Sequence, residues 1–358
     1  MPSPDTLTPD DSRVQHRFIP IPGTDITYHC LVAAPPRPPR ATILLIHGFP
    51  DLAMGWRYQV PFLLSLNLRV IVPDMLGYGQ TSAPQAREVY TYKNMCAHMA
   101  HIVRTVTTST AANNAGGSPL ASNEKVLLGG HDWGGYKAWR LAMWYPDLFS
   151  CVFSFAVHFT PPTRHLVTVD DLLGKLPSLR YQKQLIAPDL EAALGKDPQR
   201  IRQFLNALYV GQTAEGVAPA NQGVDIPRLI DGDGYADTPL LTAGTMDFYV
   251  SEYARNGLRG PLNWYRVRDL NHEDELVFLQ ASPRYRFKMP AMLVMAEHDI
   301  AFPPEVADKQ QRFFGKGMLK QHLMKGCSHW IMIERPDEAN RLIGEFVEEV
   351  LVAERARL

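Results

Sequence analysis

Short, nearly unbroken apolar runs alternate along this chain with longer helix-like stretches. The runs end in glycine, aspartate or histidine. Thr42 to Ile46 (TILLI) leads into His47-Gly48, Val70 to Val72 into Pro73-Asp74, and Lys125 to Leu128 into Gly129-Gly130. Cys151 to Val157 leads into His158, Ala291 to Ala296 into Glu297-His298-Asp299, and Gln321 to Met324 into Gly326-Cys327-Ser328-His329. Such runs predict parallel strands buried on both faces. With helices predicted over Asn94–Thr107 and Gly134–Met143, the alternation gives an α/β fold with a mostly parallel central sheet flanked by helices. Arg17–Ile21 and Ile26–Ala33, flanking Pro22-Gly23-Thr24-Asp25, predict an antiparallel hairpin that opens the sheet. Ligands of such sheets bind beyond the carboxyl ends of the strands, where the polar run-ends meet.

The rhythm breaks between residues 159 and 287. Helix-like stretches there (Pro188–Leu194, Pro198–Tyr209, Thr245–Asn256) are separated by Pro- and Gly-rich loops without a buried strand. This predicts a helical cap at 159–287 inserted into a core formed by 1–158 and 288–358. Ser109–Asn123 is small and polar and reads as a flexible surface loop. Asp231-Gly232-Asp233-Gly234 lacks the later ligands of a calcium loop and reads as a plain turn.

Composition narrows the function. Lys+Arg 36 against Asp+Glu 37 leaves a formal net charge of −1, so no overall field recruits nucleic acid. Cys30, Cys96, Cys151 and Cys327 lie far apart without CxxC or Cys/His spacing, which argues against disulfides or a zinc site. The polar N-terminus lacks a signal-peptide pattern, and no apolar run reaches the about 18–20 residues of a membrane span. A cytoplasmic protein is expected. The final Ala356-Arg357-Leu358 is a relaxed form of a peroxisomal address.

Gly130-His131-Asp132-Trp133-Gly134-Gly135 follows a predicted strand and precedes a predicted helix, the setting of a nucleophile elbow. Aspartate stands where an esterase has serine, and no Gly-x-Ser-x-Gly occurs. A carboxylate of pKa near ~3.9 is ionised at neutral pH and attacks without a base. Its targets are sp³ carbons bearing a leaving group, and the product is an alkyl ester that water must cleave. The plainer alternative is an aspartate that caps the following helix. Asp299, just past a strand, and His329, further on, complete the order nucleophile, acid, histidine. An imidazole oriented by a carboxylate suits the activation of water. His47-Gly48-Phe49-Pro50 follows another strand. The backbone N–H groups of Phe49 and Trp133 are the expected oxyanion donors. His47, Trp133, His158 and Trp330 are expected to line the substrate pocket.

The motifs HGFP, GHDWGG, AEHD and GCSHW, in this order, resemble the epoxide hydrolases of the α/β-hydrolase fold. Gly257 to Arg266 (GLRGPLNWYR) resembles the RGPLNWYR stretch of soluble epoxide hydrolases. The resemblance covers roughly residues 15–350. It implies hydration of an epoxide to a vicinal diol without metal or organic cofactor. It also implies that Tyr265 and a second cap tyrosine hold the epoxide oxygen. Tyr181-Gln182 fits the second place, although Lys183-Gln184-Leu185 departs from the aromatic-containing pattern. A phenol near pKa ~10 is protonated at neutral pH and can stabilise the charge that develops on the ring oxygen. The expected partner is a small-molecule epoxide, and the resemblance admits a homodimer. Two other readings stand beside this one: a haloalkane or haloacid dehalogenase sharing the Asp nucleophile, and a non-catalytic binding protein of the same fold.

Overall fold

The computed structural model describes residues 4–113, 125–209, 225–231, 234–281 and 285–356. Its strands are β1 (Val14–Pro20), β2 (Thr27–Ala33), β3 (Thr42–Ile46), β4 (Arg69–Pro73), β5 (Val126–His131), β6 (Phe149–Phe155), β7 (Ala291–Ala296) and β8 (Leu319–Met324). They form one sheet in the order β1-β2-β4-β3-β5-β6-β7-β8. β1 pairs antiparallel with β2 from Val14↔Ala33 to Pro20↔Thr27, and β2 pairs antiparallel with β4. The remaining pairs are parallel.

β3 through β7 are buried at every position, as their unbroken apolar runs require of central strands covered on both faces. β8, at the edge, alternates buried and more open positions. The helices of the core are α1 (Gln59–Ser65), α2 (Tyr92–Asn113) and α3 (Trp133–Trp144). α2 takes in Ser109–Asn113, the start of the stretch expected to be a loop. Two consecutive alanines there favour continuing the turn, and 114–124 lie outside the described residues.

From 159 to 287 the described residues form helices without a strand. They are α4 (Val169–Lys175), α5 (Tyr181–Ile186), α6 (Pro188–Leu194), α7 (Pro198–Leu208), α8 (Ile226–Asp231), α9 (Ala243–Asn256), α10 (Arg259–Asn263) and α11 (Arg268–Ala281). Gly232 and Asp233 of the expected turn lie outside the described residues. α12 (Ile331–Glu334) and α13 (Pro336–Arg355) close the chain's described part. Of the C-terminal tripeptide, Ala356 is described and the two residues after it are not.

The helical segment is joined to the sheet side by specific bonds. The Trp264 indole N–H donates to the Leu76 carbonyl at 3.1 Å, and Asn256 Nδ2 donates to the Gly79 carbonyl at 3.0 Å. Both acceptors lie in the loop after β4, so the helices cover the carboxyl end of the sheet. Among the described residues no helix is long and apolar enough to cross a membrane.

Candidate active site

β5 delivers its last residue, His131, directly to a sharp turn. Asp132 adopts φ 53° and ψ −127°, and α3 begins at the next residue. A non-glycine residue at positive φ is strained and needs support from its surroundings. Gly134 is part of that support, because a Cβ there would lie 2.1 Å from the Ile46 carbonyl oxygen. α3 can therefore approach β3 only with glycine at this position. The turn leaves Asp132 without a capping bond to its own helix. Its Oδ1 instead accepts the Phe49 backbone N–H at 2.8 Å. The helix-cap alternative for Asp132 is thus not what forms. Trp133 opens α3, where the first amides have no intrahelical partner.

Two further strands bring in the charged partners. Past β7, Asp299 Oδ1 accepts the N–H groups of Ala301 and Phe302 at 2.8 and 3.0 Å, which fixes the carboxylate. Past β8, His329 Nδ1 lies 2.8 Å from Asp299 Oδ2, and its Nε2 lies 3.4 Å from Asp132 Oδ2. The Asp299 contact orients the ring, with Nδ1 donating and Nε2 turned to Asp132. Sequence order scattered these residues; the sheet brings all three together.

Charge follows geometry. Burial works against the imidazolium of His329, but Asp299 and Asp132 outweigh it and raise its pKa to about 10. Burial likewise works to raise the Asp132 pKa, and His329, His131 and the Phe49 N–H hold it below the ordinary value. The resting pair is therefore a carboxylate facing an imidazolium. Tyr265 and Tyr181 are pushed up, first by burial and then by charges that include Asp132, so both phenols keep their protons.

Two cavities meet at Asp132 and Tyr181. The smaller, about 80 Å³, is lined by Phe49, Leu208, Tyr265, Ile300, His329 and Trp330 among others. The larger, about 310 Å³, runs between α3, α4 and α11 and includes Trp133, Tyr136, His158 and Phe302. Tyr265, buried in the smaller cavity, packs its ring edge-on against Phe49 and Trp133, with centroids 5.3 and 5.0 Å away. Trp330 stacks on Tyr209 with centroids 4.0 Å apart. His158 lines the larger cavity, and burial lowers its pKa to about 4.

His47, expected in the pocket, lines neither cavity. It is fully buried, with Nδ1 donating to the Gly48 carbonyl at 2.8 Å and Nε2 accepting the Met75 N–H at 2.9 Å. Both ring nitrogens are committed to holding the loop that carries Phe49.

Sequence reasoning passed over two residues beside the site. His131 Nε2 donates to the His329 carbonyl at 2.9 Å, tying the histidine loop to the elbow. Its place before Asp132 was the available signal. Lys137, one helical turn beyond the elbow, is buried with Nζ 3.0 Å from the Trp264 ring centre and no hydrogen bond. Among the described residues no three His, Cys, Asp or Glu side chains are grouped to hold a metal ion.

Comparison with known proteins places this geometry. The α/β hydrolase fold family matches residues 41–336. Epoxide hydrolase srdG of Neurospora crassa is 46% identical over 358 residues, covering 98% of this chain and 100% of that protein. Bifunctional epoxide hydrolase 2 of Sus scrofa is 29% identical over 344 residues, covering 95% of this chain and 56% of that protein. The crystal structure of epoxide hydrolase A from Mycobacterium thermoresistibile matches with a TM-score of 0.73 at 26% identity, covering 94% of this chain and 98% of that one. With full-length similarity above and an elbow centred on aspartate below, the chain belongs to the α/β-hydrolase fold family and, within it, to the epoxide hydrolases.

Proposed function

We propose that this chain hydrates an epoxide to a vicinal diol through an alkyl ester on Asp132. The observation that carries the reading is the carboxylate at the elbow, with Oδ1 on the Phe49 N–H and Oδ2 facing His329. Asp132 Oδ2 attacks an epoxide carbon and the ring C–O bond breaks. Tyr265 and Tyr181 hold the oxygen and one of them gives it a proton. His329 cannot take a proton while it is an imidazolium. Esterification removes the Asp132 charge, one of the two carboxylates that raise the His329 pKa. The pKa falls, the imidazolium gives its proton through water to the phenolate left by ring opening, and the neutral imidazole becomes a base.

The imidazole then takes one proton from water, and the hydroxide adds to the ester carbon. The resulting oxyanion rests on the N–H groups of Phe49 and Trp133. The bond from that carbon to Oδ2 breaks, and the imidazolium returns its proton to the leaving diol oxygen. The new carboxyl ionises, and its proton restores the imidazolium of the resting pair. Residues 159–287 act as a cap that supplies both phenols, over a core formed by 1–158 and 288–358. No step asks for a cofactor.

The test is His329→Gln, which lets the ester form but not clear. Intact mass is measured after exposure to pooled epoxides, haloalkanes and esters. A gain equal to a whole epoxide, mapped to Asp132, is expected. A gain equal to a haloalkane less hydrogen halide means a dehalogenase instead. A folded wild type that turns over no member of a broad epoxide panel overturns the reading. Ala356-Arg357-Leu358 fits a relaxed peroxisomal address; removing it from a fluorescent fusion should leave the fusion in the cytoplasm.

A further inference from the structure

α3 carries two buried basic side chains with different surroundings. Arg140 is paired with Glu275 of α11, its Nε 2.6 Å from Oε1. Lys137 is 1% exposed, lines neither cavity, and its Nζ has no hydrogen-bond partner. It meets rings instead. Nζ lies 3.0 Å from the centre of the Trp264 ring, 5.1 Å from that of Trp133 and 5.9 Å from that of Tyr92. An amino group over a ring face is attracted to the π electrons.

Two of those rings adjoin Tyr265. Trp264 precedes it in the chain, at the end of α10, and Trp133 packs edge-on against its ring with centroids 5.0 Å apart. Lys137 therefore joins a ring of the helical segment to a ring of the elbow, and both touch the phenol's surroundings. The indole N–H bonded to the Leu76 carbonyl fixes one edge of Trp264, and Lys137 meets its face. A methionine would fill the same space without burying an amino group, and a buried amino group without an acceptor costs stability. Such costly groups are kept where function uses them. An apolar chain packs on a ring face at many angles, whereas an N–H holds the ring by direction.

We propose that Lys137 is a positioning residue for ring opening: through the faces of Trp264 and Trp133 it sets where the Tyr265 phenol stands relative to Asp132. This rests on the reading of Asp132 as the nucleophile and Tyr265 as a donor to the epoxide oxygen. Lys137 itself touches neither substrate nor a reacting atom. A displaced phenol weakens the donor to the opening oxygen. Ester cleavage is spared, because it uses His329, which Asp299 holds at 2.8 Å, and backbone N–H groups.

The experiment measures ester formation and ester cleavage separately, by rapid quench and intact mass, on an epoxide that wild type turns over, styrene oxide first. Lys137→Met should slow formation by about 10-fold, less than outright loss of the phenol, and leave cleavage unchanged. Lys137→Gln, which keeps N–H donors, should retain part of the rate. Added to Tyr265→Phe, Lys137→Met should slow formation no further, because the phenol through which it acts is gone. Should Lys137→Met not fold, Trp264→Phe tests the same contact from the ring side and should show the same selective loss. Unchanged formation in the folded variant overturns the proposal. Equal slowing of both steps also overturns it and marks Lys137 as a packing residue, as does a full loss that persists on top of Tyr265→Phe. Each of these leaves the epoxide reading standing. A wild type that forms no ester with any epoxide overturns both.

Discussion

Asp132 Oδ1 and the Phe49 backbone N–H stand 2.8 Å apart, so one oxygen of the carboxylate already occupies the amide to which we assign the oxyanion. The two oxygens are thereby distinguished before any substrate arrives. In the proposed mechanism Oδ2, 3.4 Å from His329 Nε2, is the oxygen that attacks, and Oδ1 stays with the protein.

That distinction has an isotopic consequence. In a single turnover in ¹⁸O-labelled water with enzyme in excess, the oxygen added to the substrate should come from Asp132 and be unlabelled. The label should appear in the peptide bearing Asp132. Label in the diol on the first turnover would mean that water attacks the epoxide directly.

The phenols should act on the first step and not the second. Tyr265→Phe removes one donor to the opening oxygen and should slow ester formation by about 10²–10³, the usual cost of losing such a donor. Ester cleavage, followed in the same stopped-flow trace, should change little. Tyr181→Phe should act in the same direction. A variant slowed only in cleavage would place that tyrosine elsewhere in the mechanism.

His329 links activity and stability to pH. Its folded-state pKa is raised from 6.5 to about 10, so the folded protein holds this proton more tightly than the unfolded chain. The stabilisation is fully present below 6.5 and is lost as pH rises through about 10. Calorimetry should show the wild-type Tm falling relative to His329→Gln across that window. Single-turnover cleavage of the ester should rise with pH and level off well below the pKa of the resting histidine, because the esterified Asp132 no longer holds the proton. Identical midpoints for the two would mean that the Asp132 charge does not set the base.

Lys137, one turn beyond the elbow and within the field of Asp132, gives a test of stability. Its Nζ is buried without a hydrogen bond, over the Trp264 ring at 3.0 Å. A desolvated cation–π contact returns about 2 kcal/mol, while burying an unpaired charge costs several. Burial lowers the Lys137 pKa well below its ordinary value, as that balance requires. Lys137→Met should therefore raise Tm. A lower Tm would mean that the ring contact outweighs the desolvation.

The strands were legible because a strand covered on both faces leaves an unbroken apolar run. β3 and β7 fall at the limits the runs predict, while β5 extends through Gly129-Gly130-His131, whose glycines mask a ladder that continues. The site was legible where chemistry sits at a strand end, as with Asp132, Asp299 and His329. It was not legible where two elements meet sideways. Nothing in Arg140 or Glu275 alone announces that α3 and α11 bring them within 2.6 Å. His47 misled for the same reason, since a histidine at a strand end can face the pocket or, as here, be consumed by two backbone bonds.

The long excursion between β6 and β7 divides the machinery by order of synthesis. Asp132 leaves the ribosome early, Tyr181 and Tyr265 follow, and Asp299 and His329 come last, on the strands that complete the sheet. A nascent chain that stops before β8 carries Asp132 without His329. On the proposed mechanism the base arrives last, so only a chain that has passed β8 carries every group that turnover needs.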